Sequence, residues 1–147
     1  MEIIKASALN RDYLNTGPNG IPIIICSDSR RVLKKIDEAG YVPVRVNATL
    51  AKALLEFTPA ERPKKVEECF KDLIDGHGSV FITDFEMLFD PRYEIDVIKL
   101  FCEKARFVNV AVKWPGKYNA GKLTYANIDD PDYHEFNGDA YQVLIVE

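Results

Sequence analysis

Two clusters of polar residues in this chain have types and spacing suited to chemistry, and each follows an apolar run. The first is Asp84 and Glu86, directly after Val80-Phe81-Ile82-Thr83. An open α/β sheet places its ligand crevice outside the carboxyl ends of its strands, which is where acids at a strand tip would stand. A carboxylate there can direct Mg²⁺ to a phosphate, or can itself accept a phosphoryl group. The second cluster is Ser27, Ser29, Arg30 and Arg31, after Ile23-Ile24-Ile25-Cys26. Hydroxyls and guanidiniums at the start of a helix can hold an anion, because the first-turn N–H groups point outwards and the dipole favours negative charge. Asp28, inside that cluster, would repel phosphate, and a helix cap also accounts for Ser27, Asp28 and Ser29. Lys113 follows the apolar run Phe107 to Val112 and could supply a further cation. Asp84 and Glu86 are therefore the residues to test for catalysis. Ser27, Ser29, Arg30, Arg31 and Lys113 are the nucleotide- or anion-binding candidates.

Other chemistries have less behind them. His77 and His134 have no partner at ligand spacing, and Cys26, Cys69 and Cys102 form no Cys-x-x-Cys pair, so no metal site is expected. No hydroxyl or thiol has a histidine base by motif. Glu86, Asp90 and Glu94 suit a solvated helix start, where acids are favoured. Asp129, Asp130 and Asp132 suit turns beside Pro131. The aromatic residues Trp114, Tyr118, Tyr125, Tyr133, Phe136 and Tyr141 would cover a sheet edge, and any exposed subset would serve protein contact. Scattered cysteines in odd number indicate reduced thiols in a cytoplasmic protein. Met1 to Asn10 lacks the apolar centre of a signal peptide, and no apolar run nears the roughly 18 residues that span a bilayer. In that compartment the sequon Asn47-Ala48-Thr49 is idle. A net charge of −4 argues against a chain that coats nucleic acid, leaving at most an indirect contact.

The elements that must position these residues follow from periodicity. At 147 residues the chain fits one domain, since domains commonly run about 100–200 residues. Residues 2–14 carry apolar groups at helical spacing and predict a short helix, ended by the turn signal Asn15 to Gly20. Ile21 to Cys26 predicts a strand buried on both faces. Arg30 to Ala39 predicts a helix closed by Gly40, and Tyr41 to Val46 a second strand. Thr49 to Phe57 and Lys64 to Ile74 predict helices, the latter with an inward stripe of Val66, Cys69, Phe70, Leu73 and Ile74. Val80 to Ile82 is the central strand. Ile95 to Ala105 is a further helix, Phe107 to Val112 a strand, and Tyr141 to Val146 a last strand after a polar, Tyr-rich excursion. This order predicts an α/β fold, a mainly parallel sheet flanked by helices in three layers.

Parts of the chain resemble known families. Ile23 to Leu33, continuing through Ala39-Gly40-Tyr41, resembles the first βαβ unit of a response-regulator receiver, and Ile82 to Met87 the segment around its phosphoacceptor, which would be Asp84. A receiver also needs two acids at the first strand end and a Ser or Thr where Lys113 stands. A P-loop of the form Gly-x-x-x-x-Gly-Lys-Ser/Thr has no counterpart after Ile25, because Cys26 to Arg31 contains neither glycine nor lysine.

A wider resemblance runs from Asn47 onward. It is carried by Leu54-Leu55-Glu56, Thr58-Pro59-Ala60-Glu61-Arg62-Pro63, Glu86-Met87-Leu88-Phe89-Asp90-Pro91 and Val112-Lys113-Trp114-Pro115-Gly116-Lys117-Tyr118. Gly121 to Ala126, Pro131-Asp132-Tyr133 and Leu144-Ile145-Val146 complete it. In these segments the chain resembles the BrxF family, the small P-loop-type protein of type 3 bacteriophage-exclusion (BREX) systems. The resemblance implies a P-loop NTPase-like, RecA/AAA-like single domain over residues 1–147 that serves antiviral defence. It also implies docking onto a larger partner, the system's ATPase or its methyltransferase machinery. The chain departs from the family at the Walker A loop, which is shorter here. It departs again at the acid before Glu86, where the family's Asp aligns with Thr83 and Asp84 comes one position later. A one-residue slip at a strand end turns a side chain to the other face. The expectation is a degenerate, non-hydrolysing member with no cofactor of its own. The alternative is a divergent NTPase that holds ATP through Ser27, Ser29 and Arg30, with Asp84 or Glu86 on Mg²⁺. The sequence sets no oligomeric state.

Overall fold

The computed structural model describes the whole chain, Met1–Glu147. Its frame is a six-stranded sheet of β1 (Glu2–Ile4), β2 (Ile23–Ile25), β3 (Val42–Arg45), β4 (Ser79–Thr83), β5 (Asn109–Lys113) and β9 (Leu144–Val146). Every pair is parallel, in the order β1-β9-β2-β5-β4-β3. The three inner strands that read as unbroken apolar runs have almost no polar residue in their bodies, as strands covered on both faces require. Register sorts their side chains into two sets. Ile24 lies beside Val112 and Ile145, and Val112 beside Ile82, so these four point to one face. Ile23, Ala111, Leu144 and Val146 point to the other.

Each set is covered by helices. On the first face lie α3 (Val46–Leu54), α4 (Arg62–Ile74) and α5 (Val97–Lys104), packed through Leu50, Phe70 and Phe101. On the second lie α1 (Arg11–Leu14) and α2 (Arg30–Glu38), packed through Leu14, Val32 and Ile36. The result is an α/β fold of three layers. No helix is long and apolar enough to cross a membrane.

Three expectations change. Residues 2–14 do not form one helix, because Ile3 and Ile4 extend into β1 at the sheet edge, leaving a single 3-10 turn at Ala6–Ala8 and a short α-helix at Arg11–Leu14. An apolar pair beside β9 gains a full row of backbone hydrogen bonds, which short helical periodicity cannot offset. Phe107 is not in a strand: it sits 75% exposed on the turn after α5, and β5 starts two residues later. The polar excursion is a second sheet, antiparallel, of β6 (Lys117–Asn119), β7 (Lys122–Tyr125) and β8 (His134–Asn137). Its first turn is Ala120-Gly121, with φ of +50° and +83°, the left-handed pair that a two-residue hairpin needs. Leu123 and Phe136 bury the inner face of this sheet against Trp114 and Phe89.

Strand order also corrects the receiver alternative. In a receiver-type sheet, ordered 2-1-3-4-5, the second and third strands flank the first. Here β5 separates β2 from β4, and β3 lies beyond β4. Asp84 is thus two strands away from Asp28, and the two cannot form the acidic pocket of a phosphoacceptor.

Phe101 is fully buried and meets Phe85 edge-on at 5.1 Å and Phe70 at 6.1 Å. Truncation to Phe101→Ala removes α5's main anchor and should cost about 3–5 kcal/mol, read as a lowered urea midpoint at unchanged slope.

Candidate functional site

The carboxyl ends of the parallel strands collect most of the polar side chains that the sheet body excludes, and these side chains form two separate groups. The first is at the exit of β2. Only Cys26, Ser27, Asp28 and Ser29 lie between Ile25 and the first turn of α2. Cys26 donates its N–H to Val146 O at 2.8 Å, continuing the sheet. Ser27 Oγ accepts from Ser29 N–H at 3.1 Å and folds the loop into a tight polar turn. Lys113 ends β5 level with Ile25 and reaches across. Its Nζ donates to Ser27 O at 2.9 Å and to Asp28 Oδ1 at 2.7 Å. The ammonium therefore clamps the loop from the neighbouring strand. Its hydrogen bond, and then its charge, hold the Asp28 carboxyl below the usual range. Arg30 and Arg31 stand exposed on α2 with no ion-pair partner.

The second group is at the exit of β4. Asp84 leaves the strand with φ +49°, in the left-handed region, where Asp is one of the few side chains tolerated. Its Oδ2 accepts from Arg45 Nε at 2.9 Å, at the end of β3 and so on the side away from β2. Its backbone oxygen accepts the Asn47 N–H at 2.6 Å. The Asn47 amide then reaches two further groups. Nδ2 donates to Glu86 Oε2 at 2.6 Å, and Oδ1 accepts the Met87 N–H at 3.1 Å. Glu86 is half-buried, and its charge adds to burial in raising the Tyr125 phenol.

No hydrogen bond or ion pair joins the β2 group to the β4 group. Ser27 and Lys113 meet, and Asp84 and Glu86 are tied through Asn47, but the structure does not bring the two sets together. Arg45 and Asn47 are participants that the sequence reading left out. Their signal was faint: a polar pair at the end of the edge strand, one member of which matches a glycosylation motif.

A Mg²⁺-bound triphosphate would meet mixed charge at these residues. A phosphate wrap needs several free backbone N–H groups. In the loop the Ser29 N–H is taken by Ser27 Oγ, and the Ser27 carbonyl and Asp28 carboxylate hold the one nearby lysine. Asp84 faces a guanidinium. Elsewhere, no cluster of three or more His, Cys, Asp or Glu side chains is placed to hold a metal. Cys26 is a poor nucleophile, since burial pushes its thiol up to about 12 against the opposing pull of Lys113. Little thiolate is then present at neutral pH, which slows any attack by its sulfur.

Two tests follow. Asn47→Ala removes one charge-assisted and one neutral hydrogen bond and leaves the half-buried Glu86 without its donor. It should cost about 2–4 kcal/mol in urea unfolding. Iodoacetamide should alkylate Cys26 in the folded protein far more slowly than in urea at the same pH, as read by intact-mass kinetics.

Compared with family models, with curated proteins and with solved structures, the chain finds no match in any of the three.

Proposed function

We propose that this chain is a non-hydrolysing, P-loop-derived accessory subunit of a phage-defence system of the BREX type, acting by docking onto a larger component. One observation carries the non-hydrolysing part. Lys113, the lysine that reaches the β2 loop, is held by Asp28 and by the Ser27 carbonyl of that loop. An internal carboxylate occupies the partner that a phosphate would need. The strand order supports the P-loop ancestry. β2 lies between the last strand and β5, with β4 and then β3 beyond, which is the order of RecA/AAA-type domains. The resemblance to the BrxF family supplies the defence role and the class of partner, a defence ATPase or methyltransferase component.

One observation favours the alternative of a divergent nucleotide-binding enzyme: Arg30 and Arg31 remain exposed and unpaired beside Ser27 and Ser29. Calorimetry with ATP and Mg²⁺ separates the two. The proposed reading expects no binding heat from the wild-type chain, and micromolar affinity would sink it. Hydrolysis that disappears in Asp84→Asn and in Glu86→Gln would establish the alternative. Asp28→Asn releases Lys113 and should let pyrophosphate bind more tightly than to wild type. The partner is tested by co-purification with the neighbouring defence proteins, and recovery of this chain alone would remove the docking role.

A further inference from the structure

At the opposite, amino-terminal edge of the sheet, charges are left unpaired over an apolar surface. Register sets Glu2, Leu144 and Ile23 abreast on β1, β9 and β2, pointing to the face that carries α1. Leu144 and Ile23 are buried there, and Glu2 extends the same row at the sheet edge. Above them is a cavity of about 470 Å³, walled by Asp12 and Tyr13 of α1 and by Thr16 and Ile21 of the following loop. That size suits a small organic ligand or a single long side chain.

The walls are already built. Asn10 Oδ1 caps α1 by accepting from the N–H groups of Asp12 and Tyr13, which fixes where both side chains project. The loop is held by Ile21 N–H on Asn19 Oδ1 at 2.9 Å and by Gly20 N–H on Ala105 O at 2.9 Å. Thr16 and Asn19 also bond within the loop, Asn19 Nδ2 donating to Thr16 Oγ1 at 3.4 Å and Thr16 Oγ1 to Gly17 O at 3.3 Å. Two carboxylates remain. Asp12 makes no side-chain hydrogen bond and no ion pair, and Glu2 has only a long contact of 3.5 Å from the Tyr13 hydroxyl. The strand-end charges Asp28, Lys113, Arg45 and Asp84 are neutralised within the chain, whereas these two acids face a cavity with an aliphatic floor and a tyrosine ring.

We propose that this cavity binds a guanidinium or ammonium group carried on an aliphatic stem. The stem lies on Ile21, Ile23 and Leu144, the cation sits between Glu2 and Asp12, and the Tyr13 ring adds a cation–π face. The edge position of Glu2 also serves to discourage strand addition, but that role does not need Asp12 or Tyr13. The cation can be a free amine or an arginine side chain of a partner, and the two sources are separable.

The test is an amide NMR titration of the full chain with agmatine and, separately, with a short peptide bearing one arginine. Either probe should shift the amides of Ile23, Leu144 and α1. Tighter binding of agmatine assigns a free amine, and tighter binding of the peptide assigns a partner's side chain. The Glu2→Gln/Asp12→Asn double variant should weaken binding at least about tenfold, the loss expected when charge-assisted hydrogen bonds go. Both side chains are exposed, and the same spectra report whether the sheet is intact. Tyr13→Leu keeps the packing, removes the ring face and should weaken binding independently. The proposal is overturned if neither probe moves those amides, or if the shifts survive undiminished in the double variant.

Discussion

A parallel sheet covered on both faces has no room for polar side chains except at the ends of its strands. That constraint shapes most of this molecule. It makes β2, β5 and β9 apolar runs, and it gathers the chain's chemistry-bearing residues at the strand exits. It also explains why those residues find one another. Lys113 cannot extend into the sheet and must turn to whatever leaves β2. Asp84 cannot continue β4 and turns in the left-handed region towards Arg45.

The pairs formed this way are weak as stability elements. Arg45 and Asp84 are largely exposed, and Asp28 is almost fully so; such pairs contribute little after screening and side-chain entropy. Their consequence is geometric. Lys113 sets the shape of the β2 loop by holding a carbonyl and a carboxylate at once. Asn47 sets the β4 exit by joining three backbone and side-chain groups from a helix that starts directly after β3 ends its pairing. In both, the shielded contact is part-buried, Asn47 to Glu86 in one and Lys113 to the Ser27 carbonyl in the other, where a hydrogen bond competes less with water.

Much of this architecture was legible in the residues. Unbroken β-branched runs marked the inner strands, Gly40 marked the end of α2, and the stripe from Val66 to Ile74 marked α4's buried face. Strand order was not legible, because nothing local to β3 states that it lies beyond β4 at the far edge of the sheet; its exposed Val42 and Pro43 are consistent with an edge only once that edge is known. The antiparallel sheet hid behind polar composition, since only Leu123 and Phe136 of its three strands are buried. At the candidate site, the residue types were readable and their pairing was not. Asp28 suggested repulsion of an anion, but the cation that answers it lies 85 positions along the chain, on a strand whose neighbour could not be foreseen. Asn47 carried only the faint signal of a sequon, because its partners come from β4's exit.

The small sheet is joined to the rest at a narrow place. A Cβ on Gly116 would lie 1.8 Å from Thr124 O, and the same oxygen accepts the Trp114 indole N–H at 3.1 Å. One absent methyl group thus lets the backbone of β7 come close enough for one indole to hold it. Any side chain at Gly116 would act as a wedge there, lifting β7 with its neighbours as a flap and wetting the rings of Phe89 and Trp114 beneath. The ladder of the parallel sheet does not pass through that point, so the damage would reach it only through the shared core around Trp114.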